Sequence, residues 1–131
     1  EALLEPTRIY VKPLLAAIKE TGAIKALAHI TGGGFVENIP RVLSDEMAAV
    51  IDLNKVSPPP VFGWLANAGG VSEAEMLRTF NCGVGMIAVV SADKADGVLK
   101  TLAENGEDTS VIGHIAKRDG DAVVFEGALS L

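Results

Sequence analysis

The spacing of apolar residues changes repeatedly along the chain and predicts helices interleaved with strands. Amphipathic helices place apolar side chains three and four positions apart, whereas buried strands are short and almost continuously apolar. Ala95, Val98 and Leu102 follow the helical spacing, while residues 84–90 are apolar almost throughout. The predicted helices cover residues 13–21, 61–68, 73–80 and 92–104, and the predicted strands cover residues 24–30, 48–53, 84–90, 110–116 and 122–125, after an extended lead-in over residues 3–11.

Proline, glycine and small polar residues mark where these elements begin and end. Pro13 suits the first position of a helix, and Gly22 suits the end of the same helix. Ser72 and Glu75 have the spacing of a capping box. The charged turn 117–121 separates the last two strands, which predicts a β-hairpin. Because the elements do not alternate strictly, the predicted fold class is α+β, with a mixed β-sheet covered by helices.

Composition and charge narrow the possible classes of protein. The 131 residues suit a single domain, and 49% hydrophobic with 21% charged residues excludes a disordered chain. No apolar run reaches the roughly 18–20 residues that a membrane helix needs, and no secretory leader is evident, so we expect a cytoplasmic protein without a membrane partner. A net charge of −6 argues against binding to nucleic acid. The single cysteine, Cys82, suits a small buried position and cannot form an internal disulfide.

Three consecutive glycines between a predicted strand and a helical turn are the strongest candidate for a binding site. Gly32, Gly33 and Gly34 can turn backbone N–H groups toward an anion, and a helix that follows adds further N–H donors. Thr31 would add a hydroxyl to this loop. Phosphate is the anion that we expect, although the glycines are equally compatible with a simple tight turn. The loop is not a nucleotide P-loop, because no Gly-Lys-Ser/Thr follows it.

Other polar residues near the loop support the same interpretation. Asn38 offers a donor and an acceptor where the helix begins, and Arg41 and Lys12 are basic residues close to the loop or on the first helix. Residues 1–41 carry five basic against four acidic residues, whereas residues 42–131 carry six against thirteen, so the loop lies in the less acidic part. His29 has two interpretations, as a group that moves a proton or as a hydrogen-bonded core residue. Two histidines and one cysteine cannot form a closed zinc site, and no metal site is predicted.

Four segments together carry a resemblance to a known family. They are EPTRIYVKP at 5–13, AHITGGGF at 28–35 with ENIPR at 37–41, GGVSE at 69–73 and MLRTFNCGVGM at 76–86. These segments resemble the carboxyl-terminal domain of aminoimidazole ribonucleotide synthetase, also called phosphoribosylformylglycinamidine cyclo-ligase. The resemblance spans the chain and implies an α+β fold in α/β/α layers with a partial ferredoxin-like topology. It also implies that residues 1–131 are one domain of a two-domain enzyme, and the start without methionine fits an expectation that the amino-terminal domain is absent.

The resemblance further implies a ligase of purine biosynthesis. That enzyme uses ATP and Mg²⁺ to convert formylglycinamidine ribonucleotide into aminoimidazole ribonucleotide, and we expect the intact protein to be a homodimer. ATP and metal contacts belong mainly to the amino-terminal domain, so this domain alone is expected to bind neither and to be inactive. The alternatives are a non-catalytic module that binds phosphate ligands, or another ATP-dependent enzyme of the same superfamily.

By the same resemblance, six residues are assigned to the cleft between the two domains, and three more are weaker candidates. The loop would hold the phosphate of the substrate's ribose, in preference to a phosphate of ATP. The assigned residues are Thr31, Gly32, Gly33 and Gly34, with Asn38 and Arg41 in support and with Lys12, His29 and Asn81 as weaker candidates.

Overall fold

A computed structural model describes residues 2–131, and it contains helices and strands in nearly the predicted order. The helices are α1 (Val11–Thr21), α2 (Gly34–Asn38), α3 (Pro60–Gly69), α4 (Glu73–Thr79) and α5 (Ala95–Glu104). The strands are β1 (Ile24–His29), β2 (Met47–Asp52), β3 (Met86–Val90), β4 (Gly113–Lys117) and β5 (Val123–Glu126). Short 3₁₀ turns occupy Ala2–Leu4, Pro40–Val42, Leu53–Lys55 and Ala92–Lys94. The predicted α+β fold class is confirmed, with the strands in one antiparallel and one mixed sheet instead of a single mixed sheet.

The amino-terminal part differs from the prediction in two details. Ala2–Leu4 form a 3₁₀ turn instead of an extended segment. Helix α1 begins at Val11, so Pro13 occupies its third position and not its first. Proline is tolerated there because the first four N–H groups of a helix have no intrahelical acceptor. The helix ends as predicted, since Gly22 adopts a left-handed φ of 58° and donates its N–H to the Ile18 carbonyl at 3.1 Å.

The strands form two sheets, and the predicted hairpin is wrong. Strands β1 and β3 pair antiparallel, with Ala28 opposite Ile87. Strand β2 lies in the centre of the second sheet, antiparallel to β4 and parallel to β5. Strands β4 and β5 are therefore separated by β2 and do not pair with each other. The short turn between them indicated local pairing, but each strand buries its apolar side chains by pairing with β2, as Ala49 does with Ile115 and Val123.

Two apolar clusters hold these layers together. The larger one lies between the second sheet, β1, α2 and α4, and it contains Phe35 and Met76 at 0% exposure. The smaller one packs α1 against α5 through Ala17 and Val98. No helix within residues 2–131 has the length and apolarity to cross a membrane. Phe35 follows the glycines directly, so the larger cluster anchors the far end of the glycine loop.

Candidate functional site

The glycine loop connects the end of β1 to the start of α2, and both of its ends are fixed. Ile30, which follows β1, donates its N–H to the Gly85 carbonyl at 2.9 Å. The chain then turns, with the Gly34 N–H donating to the Thr31 carbonyl at 3.0 Å. Gly33 has a φ of 94° and Gly34 a φ of 55°. Residues with a Cβ rarely adopt these angles, so the turn requires glycine at both positions.

The three glycines have three different surroundings. A Cβ on Gly34 would collide with the end of α4, where the Phe80 carbonyl oxygen would be 2.9 Å away. A Cβ on Gly33 would meet the side chain of Glu37, with the carboxylate oxygen Oε2 at 2.5 Å. A Cβ on Gly32 would meet nothing within 4 Å. Packing therefore explains Gly34, whereas Gly32 leaves open space beside the loop.

The buried side chain of Asn38 organises the carbonyl groups of this loop. Its Nδ2 donates to the carbonyl oxygens of Gly34 at 2.8 Å, Gly32 at 3.2 Å and Thr31 at 3.3 Å. Its Oδ1 accepts from Arg41 Nη1 at 3.1 Å and from the Thr31 hydroxyl at 3.4 Å. Asn38 is only 3% exposed, so it supports the loop from inside and does not face solvent.

The N–H groups of Gly32 and Gly33 remain available to a ligand. Within residues 2–131, neither of them donates a hydrogen bond. Gly32 is exposed, as are Thr31 and Arg41. Because Arg41 uses one guanidinium nitrogen on Asn38, its remaining donors are held near the loop. The predicted group of Thr31, the glycines, Asn38 and Arg41 is thus brought together around the loop.

Glu37 is a member of this group that the sequence analysis did not single out. It lies in the first turn of α2, four positions after Gly33, and its side chain folds back over that glycine. The spacing was a usable signal, because residues four apart on a helix lie on one face. A carboxylate beside an expected anion site changes which ligands the site can accept, because it repels anions and accepts hydrogen bonds.

The weaker candidates lie in separate places. His29 is exposed at the end of β1, which excludes the interpretation as a core residue, and its ring meets the edge of Tyr10 at a centroid distance of 6.1 Å. Lys12 is exposed on α1. Asn81 closes a turn, since its Oδ1 accepts the Gly83 N–H at 3.0 Å. No hydrogen bond or ion pair within residues 2–131 connects these three side chains to the glycine loop.

Arg8, a basic residue near the first helix, binds elsewhere in the fold. Its Nη2 donates to the Gly106 carbonyl at 2.9 Å, and its Nε lies 2.9 Å from Glu107 Oε2. These contacts fasten the lead-in to the loop after α5. Arg8 therefore contributes to the fold and not to the group around the glycines.

Two further glycines, Gly83 and Gly85, are explained by close packing and not by a ligand site. Both lie just before β3. A Cβ on Gly83 would collide with Pro59, and one on Gly85 would collide with the Tyr10 hydroxyl. Cys82 between them is fully buried, and burial raises the pKa of its thiol to about 11. The thiol is thus protonated and unreactive at neutral pH, as expected for a small core residue.

Comparison with known protein families agrees with this architecture. The family model described as "AIR synthase related protein, C-terminal domain" matches residues 1–126. The matched part includes both sheets, the glycine loop and every candidate residue discussed above. The chain therefore belongs to the family of AIR synthase related proteins and represents their C-terminal domain.

Proposed function

We propose that this chain is the carboxyl-terminal domain of the ATP-dependent cyclo-ligase that forms aminoimidazole ribonucleotide from formylglycinamidine ribonucleotide. Membership of a family of ATP-dependent enzymes supports the general class of reaction. The motifs at 5–13, 28–41 and 76–86 support the specific reaction, because they resemble those of the cyclo-ligase. The observation that carries the proposal is the glycine loop, whose carbonyls are bound by Asn38 and whose N–H groups at Gly32 and Gly33 are unpaired.

In this proposal the loop binds the 5′-phosphate of the substrate's ribose. The N–H groups of Gly32 and Gly33 would donate to phosphate oxygens, and the Arg41 guanidinium would add donors at the rim. The Thr31 hydroxyl could donate there only by giving up its hydrogen bond to Asn38 Oδ1. Asn38 keeps these groups in one arrangement before the ligand arrives, which lowers the entropy lost on binding. The role of the domain is then to fix one end of the substrate so that its reacting atoms meet the phosphoryl donor.

ATP and Mg²⁺ are assigned to a separate amino-terminal domain. ATP would supply a phosphoryl group to the formyl amide oxygen, which turns a poor leaving group into phosphate. Attack of the amidine nitrogen on the formyl carbon then closes the ring and releases that phosphate. The intact protein, with both domains and a homodimeric assembly, would be the active form.

His29 is the residue of this domain that we propose for proton transfer. It is exposed two residues before Thr31, and the Tyr10 ring limits its orientation from one side. An imidazole nitrogen can accept the proton that the attacking nitrogen loses. His29→Gln in the intact enzyme should lower kcat more than it raises KM, since it removes the base without removing the phosphate contacts.

Binding to the loop can be tested on this chain directly. We expect ribose 5-phosphate to shift the amide resonances of Gly32 and Gly33 in a ¹H–¹⁵N NMR titration. Gly32→Val should remove this response while the fold is kept, because its side chain would enter open space beside the loop. Gly97→Val is the matched control, since Gly97 also has open space around it and lies away from the loop on α5. Unperturbed Gly32 and Gly33 amides at saturating ligand would contradict the binding site.

Catalysis requires a separate assay on the intact enzyme. The full protein should convert formylglycinamidine ribonucleotide with ATP, whereas residues 1–131 alone should not. Turnover of a different superfamily substrate by the intact protein, without turnover of this one, would replace the proposed reaction. Phosphate binding without any ATP-dependent turnover would favour the non-catalytic module instead.

A further inference from the structure

The carboxylate of Glu37 occupies the space that a side chain at position 33 would fill. Its Oε2, Cδ and Cβ would lie 2.5, 2.9 and 2.8 Å from a Cβ on Gly33. Two features therefore favour glycine at position 33. Its φ of 94° suits a residue without a Cβ, and the missing Cβ leaves room for the Glu37 side chain. The loop thus holds a carboxylate next to Gly33, whose N–H donates no hydrogen bond within residues 2–131.

The local charges make this arrangement unfavourable for a bare phosphate. Within residues 2–131, no Lys, Arg or His nitrogen lies within 4.0 Å of the Glu37 carboxylate, so its charge is not neutralised by an ion pair. A phosphate oxygen on the Gly33 N–H would lie close to that carboxylate, and like charges at such distances repel. The site favours a ligand that offers anionic oxygens to Gly32 and Gly33 and hydrogen-bond donors to Glu37.

We infer that Glu37 is a specificity-determining residue that accepts hydrogen bonds from the sugar hydroxyls of a ribose 5-phosphate group bound at the glycine loop. This inference rests on the proposed function and deepens it. A carboxylate is a strong acceptor for hydroxyl groups, and dinucleotide-binding sites use an acidic residue on a ribose hydroxyl in the same way. The hydroxyls belong to the sugar ring that carries the phosphate, so both contacts fit one ligand. Inorganic phosphate offers no such ring, so no sugar hydroxyl offsets its repulsion by the carboxylate.

The experiment compares three probes on the same 131-residue chain by NMR titration of the Gly32 and Gly33 amides. The probes are ribose 5-phosphate, 2-deoxyribose 5-phosphate and inorganic phosphate. The wild-type chain should bind ribose 5-phosphate about tenfold more tightly than inorganic phosphate, the magnitude of one hydrogen bond to a charged group. The affinity for 2-deoxyribose 5-phosphate should lie between those for the other two probes if Glu37 contacts both the 2- and the 3-hydroxyl. It should equal the affinity for ribose 5-phosphate if Glu37 contacts only the 3-hydroxyl. Both results support the inference.

Substitution of Glu37 should change the two affinities in opposite directions. Glu37→Gln keeps the shape of the side chain over Gly33 but removes its charge. Inorganic phosphate should then bind roughly two- to fivefold more tightly, because the repulsion is gone. Ribose 5-phosphate should bind more weakly, so that the ratio of the two affinities falls toward one. Glu75→Gln, an exposed glutamate in the first turn of α4, should leave both affinities unchanged.

The outcomes separate this inference from the proposed function. Equal wild-type affinities for ribose 5-phosphate and inorganic phosphate would overturn the role of Glu37 while the phosphate site stands. An unchanged affinity ratio in Glu37→Gln would do the same. Failure of every probe to move the Gly32 and Gly33 amides would overturn the phosphate site itself, and the role of Glu37 with it.

Discussion

Replacement of Gly34 by alanine measures how far packing alone dictates the triple glycine. The added Cβ would meet the backbone at the end of α4, with the Leu77 carbonyl carbon and the Phe80 carbonyl oxygen both at 2.9 Å. Neither is the end of a flexible side chain, so the helix itself would have to move. The left-handed φ of 55° adds a second cost for any residue with a Cβ.

The expected loss of stability follows from these two terms. A left-handed conformation costs an alanine about 1–2 kcal/mol. Forcing a methyl group into a packed contact costs about 1–3 kcal/mol. The lower conformational entropy of the unfolded chain with alanine offsets about 0.4–1 kcal/mol of this loss. The net loss is about 3 kcal/mol, which corresponds to a fall in Tm of about 10 °C for a domain of this size.

Gly32→Ala is the matched control, because it changes the same loop without either cost. No atom lies within 4 Å of its Cβ position, and Gly32 does not have a left-handed φ. The variant should keep the stability of the wild type to within about 0.5 kcal/mol. Thermal and urea unfolding of the three proteins, followed by circular dichroism, give the comparison. Similar unfolding midpoints for Gly34→Ala and the wild type, or equal losses in the two variants, would refute the reasoning.

Three further changes test other parts of the fold. Asn38→Asp should lower the free energy of unfolding, measured with urea at pH 7, by about 3 kcal/mol, because a carboxylate cannot donate to the three loop carbonyls. Asn81→Asp is the control and should lower it little, because the aspartate still accepts the Gly83 N–H. Equal losses in the two variants would contradict this role of Asn38. Burial raises the pKa of the Cys82 thiol from 9.0 to about 11, so the folded protein retains a proton that the unfolded chain loses between these values, and stability should fall across this range. Cys82→Ala should show a smaller fall over the same pH range, and parallel curves would exclude the thiol as its source. Arg8→Ala should lower the free energy of unfolding by less than about 1 kcal/mol, because its ion pair with Glu107 is largely solvated on the arginine side; a loss above 2 kcal/mol would show that the lead-in is anchored more strongly.

Local signals in the sequence were sufficient for most helices and for the glycine loop. Ser72 caps α4 by accepting the Glu75 N–H at 3.4 Å, as the capping box predicted. The turn at Gly33 and Gly34 was predicted because few other residues adopt such backbone angles. Whether the loop faced inward could not be read from the sequence, because the answer depends on the side chain of Asn38, which binds three carbonyls at once.

Long-range pairing is the part of the fold that the sequence did not predict. The apolar pattern of residues 110–125 correctly indicated two strands, but it contained no information on their partner. A hairpin was expected because strands that are close in sequence often pair. Instead, both strands pair with β2, which lies more than fifty residues earlier and has both of its edges free to pair. The position of Glu37 over Gly33 was missed for a related reason: helical spacing places two residues on one face but does not say which way a long side chain folds.

The central position of β2 has a consequence for the order in which this domain is assembled during synthesis. Both edges of that strand are paired only by segments that are synthesised later, since residues 113–126 supply its two neighbours. The first sheet and the α1–α5 pair have all their residues by position 104 and can form earlier. The nascent protein therefore carries a strand with unpaired backbone until residues 113–126 have emerged, and during this interval that strand is exposed to aggregation and to chaperones.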